Sequence, residues 1–95
     1  MKIIWSPEAC ADLDRIFDTL LAQQPSLAAG ILDRIEGRVE ALRDHPGLGR
    51  PGRVAGTREL VVSGLPYLIP YRVRAGRVEI VRVFHAARLW PKSFE

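Results

Sequence analysis

Residues 58–85 constrain the fold more than any other stretch of the chain. They contain three short runs of β-branched and aliphatic residues, at 61–62, 68–69 and 78–83, and such runs are typical of strands. The breaks between the runs contain Gly and Pro, which interrupt a strand ladder. The second break, Arg74-Ala75-Gly76, provides a glycine where a tight hairpin requires positive φ. The stretch therefore predicts an antiparallel meander of three strands.

Two amphipathic helices are predicted before the meander, after a short apolar strand at residues 2–5. Ser6 followed by Pro7 provides an N-cap and a first turn for the first helix. Pro25 separates the helices, and the second ends near residue 43, so they are expected to form an antiparallel hairpin. Apolar residues recur at spacings of three and four in both: Ala9, Leu13, Ile16, Phe17, Leu20 and Leu21, then Leu27, Ala28, Ile31, Leu32, Ile35, Val39 and Leu42.

These elements give the order β-α-α-β-β-β, an α+β fold with a single domain over residues 1–95. We expect an antiparallel sheet of three to four strands, with the first strand at its edge and the helical hairpin packed on one face. Three local expectations accompany it. Asp12, Asp14 and Asp18 lie on the solvated face of the first helix, Gly30 and Gly37 allow the helices to approach closely, and the glycine-rich residues 48–57 form a flexible connector.

The charge is divided unevenly along the chain. Residues 1–46 contain five Lys and Arg against eight Asp and Glu, whereas residues 47–95 contain nine against three. A basic half predicts an acidic partner, a nucleic acid, or both. We expect its arginines and His85 on the sheet face away from the helices, free to bind an anion. The alternative, that these arginines are only the solvated face of a half-buried sheet, stays open.

The composition also argues against several classes of protein. A single cysteine, Cys10, excludes an intramolecular disulfide and a Cys-rich metal site. His45 and His85 have no ligand at a conventional spacing, so neither a metal nor another cofactor is expected. No apolar run approaches the roughly 18–20 residues that cross a bilayer, and the N-terminus lacks a signal-peptide pattern. We therefore expect a cytoplasmic protein with no membrane partner.

His85 is the candidate for acid–base chemistry. RNA cleavage by attack of a 2′-hydroxyl requires a base, an acid and cations around the phosphate. His85 could move the proton while Arg88, Arg72 and Arg58 hold the phosphate. A histidine at a strand end is more often structural or in contact with a partner, so both interpretations stay open.

The ordered set of motifs resembles the RelE/ParE superfamily of type II toxin–antitoxin (plasmid stabilisation) toxins over nearly the whole chain. The matching residues are Trp5-Ser6-Pro7, Ala9, Asp12-Leu13, Ile35, Leu42, Pro46, Gly49-Arg50, Thr57-Arg58-Glu59-Leu60-Val61, Tyr67-Leu68-Ile69, Tyr71-Arg72-Val73, Val78-Glu79-Ile80-Val81-Arg82-Val83, His85, Arg88 and Trp90-Pro91. The resemblance implies the fold given above and a growth inhibitor neutralised by a cognate antitoxin. RelE-like members cut mRNA in the ribosomal A site, and ParE-like members poison DNA gyrase.

The resemblance favours the ParE-like activity. Arg88 and Arg58 match basic positions of a RelE-like active site, but Leu68 and Phe94 stand where that site has a strand arginine and a late tyrosine. Leu68 cannot hold a phosphate and Phe94 cannot move a proton. We therefore predict a toxin that binds gyrase without enzymatic activity. The predicted gyrase contacts are Arg82, Arg88, Leu89 and Trp90.

The resemblance also implies a partner and two alternative functions. The partner is an antitoxin, of ribbon-helix-helix or similar type with a charged tail, in a hetero-oligomer with the toxin. The expected antitoxin contacts are Leu13, Phe17, Arg58, Arg72 and Arg74. The first alternative is a ribosome-dependent mRNA interferase using His85, Arg88, Arg72 and Arg58. The second is a non-toxic homologue that acts only in the antitoxin complex and in autorepression.

Overall fold

A computed structural model describes residues 1–87 and 90–94, and within them the chain forms one six-stranded sheet and two α-helices. The strands are β1 (Lys2–Trp5), β2 (Arg50–Pro51), β3 (Arg58–Val61), β4 (Tyr67–Arg74), β5 (Arg77–Ile80) and β6 (Phe84–His85). The helices are α1 (Pro7–Gln23) and α2 (Pro25–Glu40), and a 3₁₀ turn (Ala41–Arg43) follows α2.

The sheet has the order β1-β5-β4-β3-β2, and β6 pairs with β4 beyond the end of β5. The predicted α+β architecture is confirmed, including the antiparallel meander β3-β4-β5 and the edge position of β1. The sheet differs in two respects from the expected antiparallel sheet of three to four strands, because β1 pairs with β5 in parallel and because the two-residue strands β2 and β6 bring the number of strands to six. The helical hairpin returns the chain to the end of the sheet where β1 began, so β3 runs in the direction of β1. Two reversals later, β5 has that direction too.

The helical hairpin packs on one face of the sheet, as predicted. The Ser6 side chain accepts a hydrogen bond from the Ala9 amide (2.9 Å) and donates one to the Val81 carbonyl (2.8 Å), which ties the start of α1 to the end of β5. Leu21 and Leu27, predicted in the apolar stripes, are instead 46 and 53 % exposed. The buried core joins both layers: Ala9, Ile35, Val39, Leu42, Leu60, Ile69, Tyr71, Val78 and Ile80.

Two expectations about glycines are wrong. A Cβ built on Gly30 or Gly37 meets nothing within 4 Å, so neither glycine serves a close approach of the helices. The segment 48–57 is packed rather than a flexible connector, since the Gly49 amide donates to the buried Tyr71 hydroxyl (2.8 Å) and Val54 is only 5 % exposed. A Cβ on Gly49 would lie 2.6 Å from the Tyr71 ring, so the segment follows the ring closely because it has no side chain there.

The turn between β4 and β5 contains two residues with positive φ, Ala75 (54°) and Gly76 (71°). A two-residue hairpin of type I′ requires positive φ at both positions, and an alanine in that region is strained by roughly 1–2 kcal/mol. We therefore expect Ala75→Gly to raise the free energy of unfolding by about 1 kcal/mol, measured by urea denaturation. Gly76→Ala should lower it by a similar amount, and equal stability of both variants would contradict this account of the turn.

Candidate binding face of the sheet

The sheet face away from the helices, here named the open face, carries a concentrated group of charges. Side chains alternate along β4. Tyr71 faces the helices and belongs to the core, so Arg72 and Arg74 lie on the opposite, open face. In the register, Arg74 lies opposite Arg77, and Arg77 lies opposite Lys2 on β1. The next row of the same face places Arg72 opposite Glu79. We call Lys2, Arg72, Arg74, Arg77 and Glu79 the cationic patch.

Glu79 is the carboxylate at the centre of the cationic patch. Its Oε1 accepts from Nε of Arg72 (3.0 Å) and lies 2.8 Å from Nε of Arg74, while Arg77 Nη2 is 3.8 Å from Oε2. The hydrogen bond from Arg72 and the charge of Arg74 hold the pKa of Glu79 below its ordinary value. The Nη groups of Arg72 and Arg74 make no hydrogen bond to any described residue, so they remain available to a ligand.

Asp12 of α1 is buried, at 2 % exposure, and the prediction that it lies on a solvated helix face is wrong. Its carboxylate accepts from Arg82 Nε (2.7 Å), Arg82 Nη2 (2.9 Å), the Val83 amide (3.0 Å) and Arg15 Nη2 (2.6 Å). Burial raises the pKa of Asp12, but these hydrogen bonds and charges outweigh burial, so the pKa lies below its ordinary value. Arg82 is therefore bound internally and not free for an anion, contrary to expectation.

The helical periodicity of the sequence already indicates that Asp12 is buried. Asp12 stands three residues after Ala9 and four before Ile16, so it borders the apolar stripe. The charge of Asp12 alone indicates a solvated position, whereas its spacing from Ala9 and Ile16 indicates a buried one.

Glu59 is the second buried carboxylate, also 2 % exposed, on β3. It accepts from the Arg53 amide (2.9 Å), Arg53 Nε (3.0 Å), Arg53 Nη2 (3.2 Å) and Arg50 Nη2 (3.2 Å). Burial raises the pKa of Glu59, and the hydrogen bonds from both arginines lower it further than burial raises it. The sequence holds no signal for this site, because the path of the loop that carries both arginines cannot be inferred from it.

Aromatic residues connect the two buried carboxylate sites across the open face. The Arg53 guanidinium lies 4.0 Å from the Trp90 ring centroid, and Trp90 packs edge-on against Phe84 at 4.9 Å. The Arg82 guanidinium lies 4.6 Å from the Phe84 ring, and Phe94 lies 6.1 Å from Phe84. We call these five residues the tail clamp, since they hold residues 90–94 against the sheet. The Trp90 indole N–H is buried without an acceptor among the described residues.

The structure does not bring His85, Arg58 and Arg72 together. His85 pairs with Tyr67 at one end of β4, whereas Arg72 lies five residues further along and on the opposite face, about 16 Å away at roughly 3.3 Å per residue. Arg58 donates to the Gly49 carbonyl (2.7 Å).

The His85 ring has partners of its own. It lies edge-on to Tyr67 at 6.0 Å, on the side of the sheet that carries the helices rather than the open face where it was expected. Its Nδ1 accepts from the Ala87 amide (3.1 Å). The predicted Arg88 and Leu89 lie outside the described residues.

The remaining predicted contacts differ in how accessible they are. Leu13 packs against the core, and Phe17 is half-buried on the same helix.

Between the cationic patch and the tail lies a cavity of about 560 Å³, lined by Ile4, Ser6, Glu8, Arg72, Arg82 and Phe94 among others.

The described residues offer no site for a metal, since no group of three or more His, Cys, Asp or Glu side chains lies close enough to hold one. Over the same residues, neither helix has the length and apolar content that crossing a membrane requires.

Comparisons with known proteins place this architecture in a family. The family described as "ParE toxin of type II toxin-antitoxin system, parDE" matches residues 3–90. A Sinorhizobium fredii protein that carries the name toxin Y4kP is 43 % identical over 96 % of this chain and 94 % of its own length. Toxin RelE2 of Caulobacter vibrioides is 40 % identical over 93 % of this chain and 98 % of its own.

A solved structure supports the same assignment. The chromosomal ParDE TA system from P. aeruginosa contains a chain with a TM-score of 0.82 and 32 % identity, covering 90 % of this chain and 95 % of that one. The present chain is thus a toxin of a type II toxin–antitoxin system. It belongs to the ParE toxin family, and its partner in such a system is an antitoxin.

Proposed function

We propose that this toxin inhibits growth by binding DNA gyrase, with the C-terminal segment as the contact. The observation that carries the proposal is the separation of His85 from Arg72, about 16 Å along β4 and on opposite faces. A nuclease needs its proton donor and its phosphate-holding cations around one phosphate. Inhibition by binding has no such requirement.

The tail clamp supports the C-terminal segment as the contact. Trp90 is half-buried and held between Arg53 and Phe84, while residues 91–93 are exposed. A rigidly held aromatic residue next to exposed chain is typical of an interface hot spot, because little side-chain entropy is lost on binding. Arg82 serves this surface indirectly by lying over Phe84, and the proposed contacts Arg88 and Leu89 precede Trp90 in sequence.

A groove between α2 and the β3–β4 turn supports a separate surface for the antitoxin. It has a volume of about 410 Å³ and is lined by Leu27, Ile31, Arg34 and Leu65 among others, with Leu27 53 % exposed. Exposed apolar side chains around a groove suit the apolar face of a partner helix. We propose that an antitoxin of ribbon-helix-helix or similar type covers this groove and extends a charged tail to Arg58, Arg72 and Arg74.

Supercoiling by purified gyrase tests the proposed target. The toxin should inhibit supercoiling of a plasmid, and Trp90→Ala should raise the concentration needed for half-inhibition about 30-fold, the effect of losing a hot spot of about 2 kcal/mol. Leu48→Ala, which shortens an exposed side chain elsewhere, is the control. Unchanged supercoiling at a large molar excess of folded toxin, verified by its binding to the antitoxin, would refute gyrase as the target.

A ribosome-dependent mRNA interferase is the second candidate, favoured by the name of the relative RelE2. It requires cuts in translated mRNA that His85→Ala abolishes, which primer extension detects. A homologue that acts only in the antitoxin complex would instead leave growth unaffected when expressed without its partner.

A further inference from the structure

The cationic patch violates two local rules of sheet stability. Lys2, Arg77 and Arg74 are direct neighbours on three adjacent strands, and like charges opposite each other destabilise a sheet. The turn that joins Arg74 to Arg77 also contains an alanine with positive φ. Such departures from local consistency are expected at functional sites, which favours a ligand over a merely solvated sheet face.

The charge balance of the patch identifies the ligand as an anion with several charges. Glu79 is the single carboxylate among four cations, so three positive charges are unbalanced. The side chains of Arg74 and Arg77 are 61 and 49 % exposed. Because Glu79 binds Nε of Arg72 and Arg74, it orients both guanidinium groups and leaves their Nη atoms for a partner. Guanidinium groups with free Nη atoms suit phosphate oxygens.

The residues around the patch indicate which kind of polyanion it fits: an acidic protein, a single-stranded nucleic acid or a duplex. Protein interfaces have a core depleted in charge, and single-stranded nucleic acids stack on exposed aromatic rings. The five residues of the patch include no apolar and no aromatic side chain, and Ile4 and Phe94 lie only at its border, where they line the cavity beside Arg72. The aromatic residues Phe84, Trp90 and Phe94 of the open face pack on one another. A surface whose charges are mainly cationic is typical of contact with a duplex backbone.

We propose that Lys2, Arg72, Arg74 and Arg77 bind the phosphate backbone of duplex DNA without sequence preference. This inference deepens the proposed gyrase function, on which its biological meaning rests, since gyrase itself holds duplex DNA. Glu79 keeps the arginines in place, and the tail clamp lies beside the patch on the same face, so one surface of the toxin meets the DNA while the tail meets the enzyme.

Fluorescence anisotropy of a labelled 20-base-pair duplex with the full-length toxin tests the inference between 25 and 200 mM KCl. The logarithm of the association constant should fall with the logarithm of salt concentration with a slope of about −3, as expected for three to four neutralised phosphates. Arg74→Gln/Arg77→Gln should reduce the magnitude of that slope by about 1.8. Arg15→Gln/Arg38→Gln, which removes the same charge from α1 and α2, should leave the slope unchanged.

Three results would overturn the inference: no binding at 25 mM KCl, an equal loss of slope in both double variants, or tighter binding of single-stranded RNA or of a polyglutamate peptide than of the duplex. Circular dichroism of each variant verifies that it is folded. The gyrase proposal is judged separately. Inhibition of supercoiling without DNA binding would refute this inference alone, and DNA binding without inhibition would refute the gyrase proposal alone.

Discussion

Replacing Asp12 with alanine is expected to lower the free energy of unfolding by about 3–5 kcal/mol, the loss typical of breaking a buried ion pair. The carboxylate accepts two hydrogen bonds from Arg82 and one from the buried Val83 amide. Without it, the Arg82 guanidinium, whose side chain is 22 % exposed, has lost its charge partner and the amide has no acceptor. Urea denaturation followed by circular dichroism measures the loss.

Neighbouring variants and pH separate this effect from general helix damage. Asp14→Ala, at an exposed position of the same helix, should change stability by less than about 0.5 kcal/mol. The pKa of Asp12 is lower in the folded than in the unfolded chain, so its stabilising contribution is complete well above the unfolded value of about 3.9 and is lost as pH falls through the folded pKa. Asp12→Asn should therefore unfold with a shallower dependence on pH below about pH 4. An unchanged acid profile, or a loss under 1 kcal/mol in Asp12→Ala, would contradict the role assigned to this carboxylate.

Replacing Phe84 with alanine is expected to cost a similar 3–5 kcal/mol, the range for deleting a buried aromatic side chain. The ring is fully buried, and both Trp90 and the Arg82 guanidinium lie against it. Its removal leaves a cavity under the tail and deprives Trp90 of its nearer aromatic neighbour, with Phe94 at 6.4 Å remaining. The same denaturation experiment gives the size of the loss.

Trp90 fluorescence reports whether the tail clamp is released. In a Trp5→Phe background, Phe84→Ala should shift the Trp90 emission to longer wavelength as the indole becomes hydrated, whereas Phe84→Leu, which keeps most of the side-chain volume, should shift it less. An emission spectrum identical in all three proteins would show that Phe84 does not hold the tail.

The residues that the sequence places correctly are those whose neighbours in the chain determine their position. Apolar spacing and the Ser6 cap predict α1, and the Gly and Pro breaks predict the meander. Neither periodicity nor turn chemistry identifies β2 and β6, which are two residues long.

The candidate site is harder to predict because distant residues decide it. Arg82 is paired with Asp12, a carboxylate 70 positions earlier in the chain. The presence of an arginine at position 82 therefore does not indicate whether its guanidinium is free to bind an anion. Nor does the sequence indicate which of the other arginines are bound in internal ion pairs and which belong to the cationic patch.

The parallel pairing of β1 with β5 determines how late in synthesis the sheet of this toxin can be completed. The hydroxyl of Ser6 donates to a carbonyl 75 positions later, and β1 has its partner only after residues 77–80 have been made. A nascent chain shorter than this has an unfinished sheet, and the start of its first helix lacks the hydrogen bond to Val81. The toxin therefore completes its sheet only after residues 77–80 have left the ribosome.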